Sequence, residues 1–148
     1  MSIDIKEIKN KDYYSLKELK LLAKKISTDC SEREIITLSG PLGVGKSTFA
    51  KYFIKYFLNE EIDVTSPTYT IVQRYSSNQR SEVWHMDFYR LKNDTNVDDL
   101  DLNEAFEKAV CLIEWPEKLN HIIPQKRIDL NFDFVSERDD IRKITYRL

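Results

Sequence analysis

Glycine, proline and cysteine are scarce in this sequence, with 3, 4 and 2 copies in 148 residues. So little Gly and Pro excludes collagen-like and low-complexity chains. The two cysteines, Cys30 and Cys111, lie far apart with no second Cys or His at zinc-ligand spacing, a pattern that suggests a reducing compartment. No apolar run reaches the roughly 18 residues that a membrane span needs. The opening segment Met1-Ser2-Ile3-Asp4-Ile5-Lys6-Glu7 alternates charged and apolar residues and has no hydrophobic centre of the secretory kind. A cytoplasmic protein without membrane attachment is expected. Excess positive charge is also missing: the formal net charge is -2, so no global field holds a nucleic-acid backbone by counterion release, and any nucleic-acid role is expected to be indirect.

What is present is globular in character, 41% hydrophobic and 32% charged. The length and the absence of repeats or Gly/Ser linkers predict a single domain over residues 1–148. Strand-like and helix-like segments alternate, which predicts an α/β fold. Ser15 is placed to cap a helix whose apolar stripe is Leu16, Leu19, Leu22, Ala23 and Ile26, with Lys17, Lys20, Lys24 and Lys25 on its wet side. The β-branched run Glu34 to Ser39 reads as a strand, and Phe49, Ala50, Phe53, Ile54 and Phe57 recur with helical period. Thr68 to Tyr75 and Glu82 to Met86 read as a hairpin around Ser76 to Gln79. Asp94 to Asp101 reads as an acidic loop, Glu104 to Lys108 as a short helix, and Val110 to Ile113 as a buried strand ending at Glu114. Arg127 to Phe134 and Asp140 to Leu148 read as an antiparallel C-terminal strand pair.

Between the first long strand and the helix that follows stands Gly40-Pro41-Leu42-Gly43-Val44-Gly45-Lys46-Ser47, which satisfies the Walker A pattern. Successive backbone N–H groups must reach phosphate oxygens there, so side chains have to be absent where the chain wraps. Lys46 adds a point charge near the β and γ phosphates, and Ser47 offers its hydroxyl to Mg²⁺. The helix that begins at this point, with Thr48 in its first turn, aims its positive end at a triphosphate. Residues 40–48 are therefore the expected binding segment for ATP with Mg²⁺, and the expected architecture is three-layered and P-loop NTPase-like, a mixed, mostly parallel central sheet flanked by helices.

Hydrolysis needs a carboxylate that positions Mg²⁺ at the end of a neighbouring buried strand, and Glu114 stands at such an end. His85-Met86-Asp87-Phe88-Tyr89-Arg90 gathers an imidazole, a carboxylate, a phenol and a guanidinium at the end of another strand. Alternation puts His85, Asp87 and Tyr89 on one face, which makes Asp87 a second metal or water-positioning group and His85 its neighbour. Thr68, in Ser66-Pro67-Thr68-Tyr69, occupies the place where GTPases carry a segment that senses the γ phosphate.

These segments in this order resemble the TsaE family: Leu38-Ser39-Gly40 leading into Gly43-Val44-Gly45-Lys46-Ser47, then Ser66-Pro67-Thr68-Tyr69, then His85 to Leu91, then Leu112-Ile113-Glu114-Trp115-Pro116. The resemblance covers nearly the whole chain. It implies an accessory ATPase that works with the TsaB and TsaD proteins, which transfer threonylcarbamoyl to an adenosine of tRNA. On that likeness Lys46 and Ser47 serve ATP and Mg²⁺, Glu114 serves Mg²⁺, Trp115 sits close to the nucleotide, and tRNA is met only indirectly. Pro41 stands where the family commonly has Asp or Glu, and Ser47 where Thr is commoner; the hydroxyl is kept, while Pro41 removes one N–H from the loop. Two other readings fit a Walker A protein, a small-molecule kinase and a nucleotide sensor with little turnover. A kinase usually carries an Arg-rich lid, whereas Arg138, Arg142 and Arg147 are spread over the last strand and read as surface charges.

Overall fold

The structure, a computed structural model, describes residues 12–67, 70–92 and 96–147. Seven strands form one sheet: β1 (Tyr13–Ser15), β2 (Ile35–Ser39), β3 (Val72–Tyr75), β4 (Val83–Asp87), β5 (Val110–Glu114), β6 (Ile128–Val135) and β7 (Arg138–Arg147). Their spatial order is β1-β7-β6-β2-β5-β4-β3. The central pairings β6-β2, β2-β5 and β5-β4 are parallel. The outer ones, β1-β7, β7-β6 and β4-β3, are antiparallel. The sheet is thus mixed as expected, but parallel pairing is confined to its middle and does not dominate. The expected C-terminal antiparallel pair is present as β6 and β7.

Burial explains the arrangement. Every residue of β4 and β5 is buried, as are Ile35 to Leu38 of β2. Strands covered on both faces read as continuous apolar runs, and parallel strands occur where helices cover both faces. Helices α1 (Leu16–Asp29) and α2 (Lys46–Leu58) cover one face, where Leu22, Ile26, Phe49 and Phe53 form a core with Ile36, Leu38, Leu112 and Leu130. On the other face the short helix α3 (Leu102–Lys108) and the segments around it bury Trp84, Met86, Cys111 and Ile113. Helix α2 docks through its aromatic ridge: Phe53 and Phe57 stack with centroids 5.7 Å apart, and Phe49 meets Phe132 of β6 edge-on at 6.0 Å.

Helix α1 starts where the sequence puts it, at a full capping box: Ser15 Oγ accepts from the Glu18 N–H, and Glu18 Oε1 accepts from the Ser15 N–H. Leu16 leaves the predicted stripe, being 56% exposed at the first helical position. Lys20 and Lys24 lie over the rings of Tyr52 and Tyr56 on α2, so part of the wet side packs on its neighbour. β3 begins at Val72, later than the expected Thr68, because Ile71 takes a φ of 68° and its N–H returns to the Pro67 carbonyl in a turn. A 3₁₀ turn, Val97–Leu100, stands within the predicted acidic loop. Cys30 and Cys111 are free and buried, and burial pushes each thiol up to about 12. Among the described residues no helix is long and apolar enough to cross a membrane.

Candidate functional site

The carboxyl ends of β2, β4 and β5 come out side by side, the edge of an open α/β sheet where ligands bind. β2 delivers the loop at 40–45, β4 ends in Asp87 and β5 in Glu114. Asp87 and Glu114 are register partners on adjacent parallel strands, so both carboxylates face the same side.

The loop needs its first glycine. Gly40 has a φ of 143°, and a Cβ there would meet the Phe132 carbonyl oxygen at 2.4 Å, so backbone of β6 closes off the space a side chain requires. Val44 is buried beneath the loop, and Pro41 and Leu42 project outward, so these three contribute backbone and not side-chain chemistry. The Pro41 carbonyl accepts from the Val44 N–H at 3.3 Å, which closes the turn, so the missing N–H of Pro41 does not open it. Gly45 stands at the N-cap of α2 with a φ of 121° and brings no side-chain cap. The first intrahelical bond runs from the Phe49 N–H to the Gly45 carbonyl, so the N–H groups of Lys46, Ser47 and Thr48 have no carbonyl one turn back. Such a helix end offers donors and positive potential to an anion.

Around this end the predicted polar residues converge. Ser47 Oγ shares its proton between the two oxygens of Glu114, at 3.0 and 3.1 Å. His85 Nε2 lies 2.6 Å from Glu114 Oε2; facing a carboxylate, it is the nitrogen that donates. His85 Nδ1 is buried with no partner among the described residues, and His85 lines a cavity of about 190 Å³ shared with Ser47, Thr48, Lys51, Thr65 and Ser66. Asp87 Oδ1 accepts from the Tyr89 N–H at 2.9 Å.

Lys46 is 4% exposed. Its ammonium donates to the Gly40 carbonyl and sits 3.6 Å from the ring centroid of Trp115. Burial holds its pKa below the ordinary lysine value, while the charges of Glu114, Asp87 and Glu117 pull the other way. Trp115 reaches this position because its own φ is 56°, a left-handed turn immediately after β5. Its ring packs on Tyr89 at 4.8 Å.

Lys46, Ser47, Glu114, Asp87 and Trp115 therefore gather in one place, as does His85. Tyr89 does not share the strand face predicted for it: β4 ends at Asp87, and Tyr89 lies beyond it, 42% exposed. Thr68 lies outside the described residues. Arg142 is a correction, because it is half-buried and its Nε donates to the Val44 carbonyl at 3.1 Å, which ties β7 to the loop. Nothing in the sequence signals that contact, since its partner lies 98 positions away.

The oxygen donors of Ser47, Glu114 and Asp87 are of the hard type that Mg²⁺ takes, usually with one or two carboxylates and with phosphate and water completing its shell. Among the described residues no cluster of three or more His, Cys, Asp or Glu able to hold a metal occurs.

Comparison with known proteins identifies the family. A family profile described as "Threonylcarbamoyl adenosine biosynthesis protein TsaE" matches residues 13–144. A Rickettsia bellii protein named tRNA threonylcarbamoyladenosine biosynthesis protein TsaE is 34% identical over 131 residues, 88% of this chain and 90% of the relative. A Bacillus subtilis protein of the same name is 35% identical over 130 residues, 87% of this chain and 78% of the relative. The crystal structure of Bacillus subtilis YdiB superposes with a TM-score of 0.72 at 30% identity, covering 90% of this chain and 80% of that one. With the profile spanning nearly all the described residues, the chain belongs to the TsaE family.

Proposed function

We propose that this chain is a P-loop ATPase that binds ATP with Mg²⁺ and acts as an accessory protein in forming threonylcarbamoyladenosine in tRNA. Its expected partners are the TsaB and TsaD proteins, with tRNA met only through that complex. The observation that carries the reading is the convergence of Lys46, Ser47 and Glu114 at the open N-terminus of α2.

In this reading the backbone N–H groups along residues 43–48 take the phosphate oxygens, and the Lys46 ammonium gives up the Gly40 carbonyl for the β and γ phosphates. Mg²⁺, when bound, would supply charge neutralisation to the phosphates. Ser47 and Glu114 would hold it, and Asp87, opposite Glu114, would orient water on the same face. His85 fixes the Glu114 carboxylate through the 2.6 Å bond. Trp115 covers Lys46 and keeps bulk water from it. ATP turnover then resets the transferase complex and takes no part in acyl transfer.

The test is ATP hydrolysis by the chain alone and with the matching TsaB and TsaD proteins, with tRNA modification scored in the same tubes over many turnovers. Partners should accelerate hydrolysis and sustain repeated modification, and Lys46→Ala should support neither. Glu114→Gln keeps the size of the side chain and should retain ATP binding while hydrolysis falls by about 10² or more. Repeated modification with Glu114→Gln would make the chain a nucleotide sensor, and partners without effect on either readout would refute the accessory role.

A further inference from the structure

Glu114 has two oxygens to offer a cation, and one of them is committed already. His85 Nε2 donates to Oε2 at 2.6 Å, while Oε1 meets the Ser47 hydroxyl at 3.0 Å. We propose that His85 is a specificity-determining residue: by holding Oε2 it makes Glu114 a one-oxygen ligand, and so selects Mg²⁺ over Ca²⁺. The proposal rests on the reading of Ser47 and Glu114 as the ligands of a nucleotide-bound cation.

Rigidity is the first argument. β4 lies between β5 and β3 and is hydrogen-bonded to each, so the backbone under His85 has no freedom to slide. His85 and Glu114 are both buried, which keeps bulk water from competing for a short, charge-assisted bond. The other ring nitrogen, Nδ1, is buried with no partner among the described residues, so the cost of burying the imidazole is offset at Nε2 alone. An apolar side chain would fill this core position without orphaning a nitrogen. The bond to Glu114 is therefore what the imidazole adds.

Cation chemistry is the second. Mg²⁺ is small, keeps several waters and takes few carboxylate oxygens, whereas Ca²⁺ takes about six to eight oxygens and readily accepts both from one carboxylate. Glu114 cannot turn both oxygens to one ion without breaking the bond from His85. It thus serves the ion that asks for one oxygen and withholds the second from the ion that gains from two. Asp87 shows the same pattern on the neighbouring strand, its Oδ1 accepting from the Tyr89 N–H at 2.9 Å. Neither carboxylate at this edge keeps both oxygens uncommitted.

The experiment is calorimetric titration of the full chain with the β,γ-imido analogue of ATP, in excess Mg²⁺, in excess Ca²⁺ and with EDTA. The proteins are wild type, His85→Leu, His85→Asn and His85→Gln. Wild type should bind the analogue at least about tenfold more tightly with Mg²⁺ than with Ca²⁺. The side chains in His85→Leu and His85→Asn cannot donate to Oε2, and the ratio should narrow to about threefold or less through tighter binding with Ca²⁺. His85→Gln, whose amide N–H stands in for Nε2, should restore the wild-type ratio, and His85→Asn serves where His85→Leu fails to fold. A merely structural role for His85 would weaken binding with both ions and leave their ratio unmoved. That result, or a wild type that binds equally well with the two ions, overturns the proposal while the cation site stands. If neither ion improves on EDTA in wild type, the cation-site reading falls and takes the role of His85 with it.

Discussion

Gly40 has less latitude than any other residue of the loop. A β-carbon there meets backbone, the Phe132 carbonyl at 2.4 Å, at a φ of 143° that side chains rarely adopt. Gly43 has open space around it and a φ of 79°, so its constraint is conformational only. Gly40→Ala should therefore lower stability by at least about 2 kcal/mol even without nucleotide, checked by chemical denaturation. A variant as stable as wild type would mean that β6 does not abut the loop. At this scale the sequence was legible where chemistry sits at the end of an apolar run. Glu114 after Val110 to Ile113 is the clear case, whereas its hydrogen bond with Ser47 comes from the fold. Arg142 was not legible, because a guanidinium on an edge strand reads as solvated until the fold brings the Val44 carbonyl to it. The packing of Lys46 against Trp115 and its burial have no signal in the motif, which assigns the side chain only a charge.

The helices differ in how their first turns are closed. Helix α1 satisfies its leading N–H groups with the Ser15 and Glu18 box, whereas α2 begins at Gly45 with no side-chain cap. One helix closes its own first turn and the other leaves it open. Ser15→Ala should cost about 1 kcal/mol in a denaturation series and leave nucleotide affinity near wild type, since the cap serves only α1. A tenfold loss of nucleotide affinity would show instead that the start of α1 governs the phosphate loop directly. Helix and strand periodicities located most elements to within a few residues. They failed at β3, where Ile71 adopts a left-handed conformation that no β-branched residue announces, and at Tyr89, which alternation carried past the real end of β4.

Across the whole molecule, sheet order turns separate motifs into one site. Lys46 and Glu114 are far apart in sequence, and they meet because β5 lies directly beside β2 while the chain visits β3 and β4 in between. Periodicity gives no strand order, so the sequence could supply the parts without their juxtaposition. The expectation of a mostly parallel sheet failed for the same reason: the antiparallel pairs lie at both margins, where short connections and edge positions decide.

The most direct test of the central claim is the melting temperature of the chain with and without Mg-ATP, in wild type and Lys46→Ala. At about a hundred times the dissociation constant, bound nucleotide adds about 2.7 kcal/mol of stability, a rise on the order of 5 to 10 °C for a chain of this size. That rise is expected in wild type and none in Lys46→Ala. An unmoved melting temperature in wild type at saturating Mg-ATP, or an equal rise in Lys46→Ala, would contradict the claim.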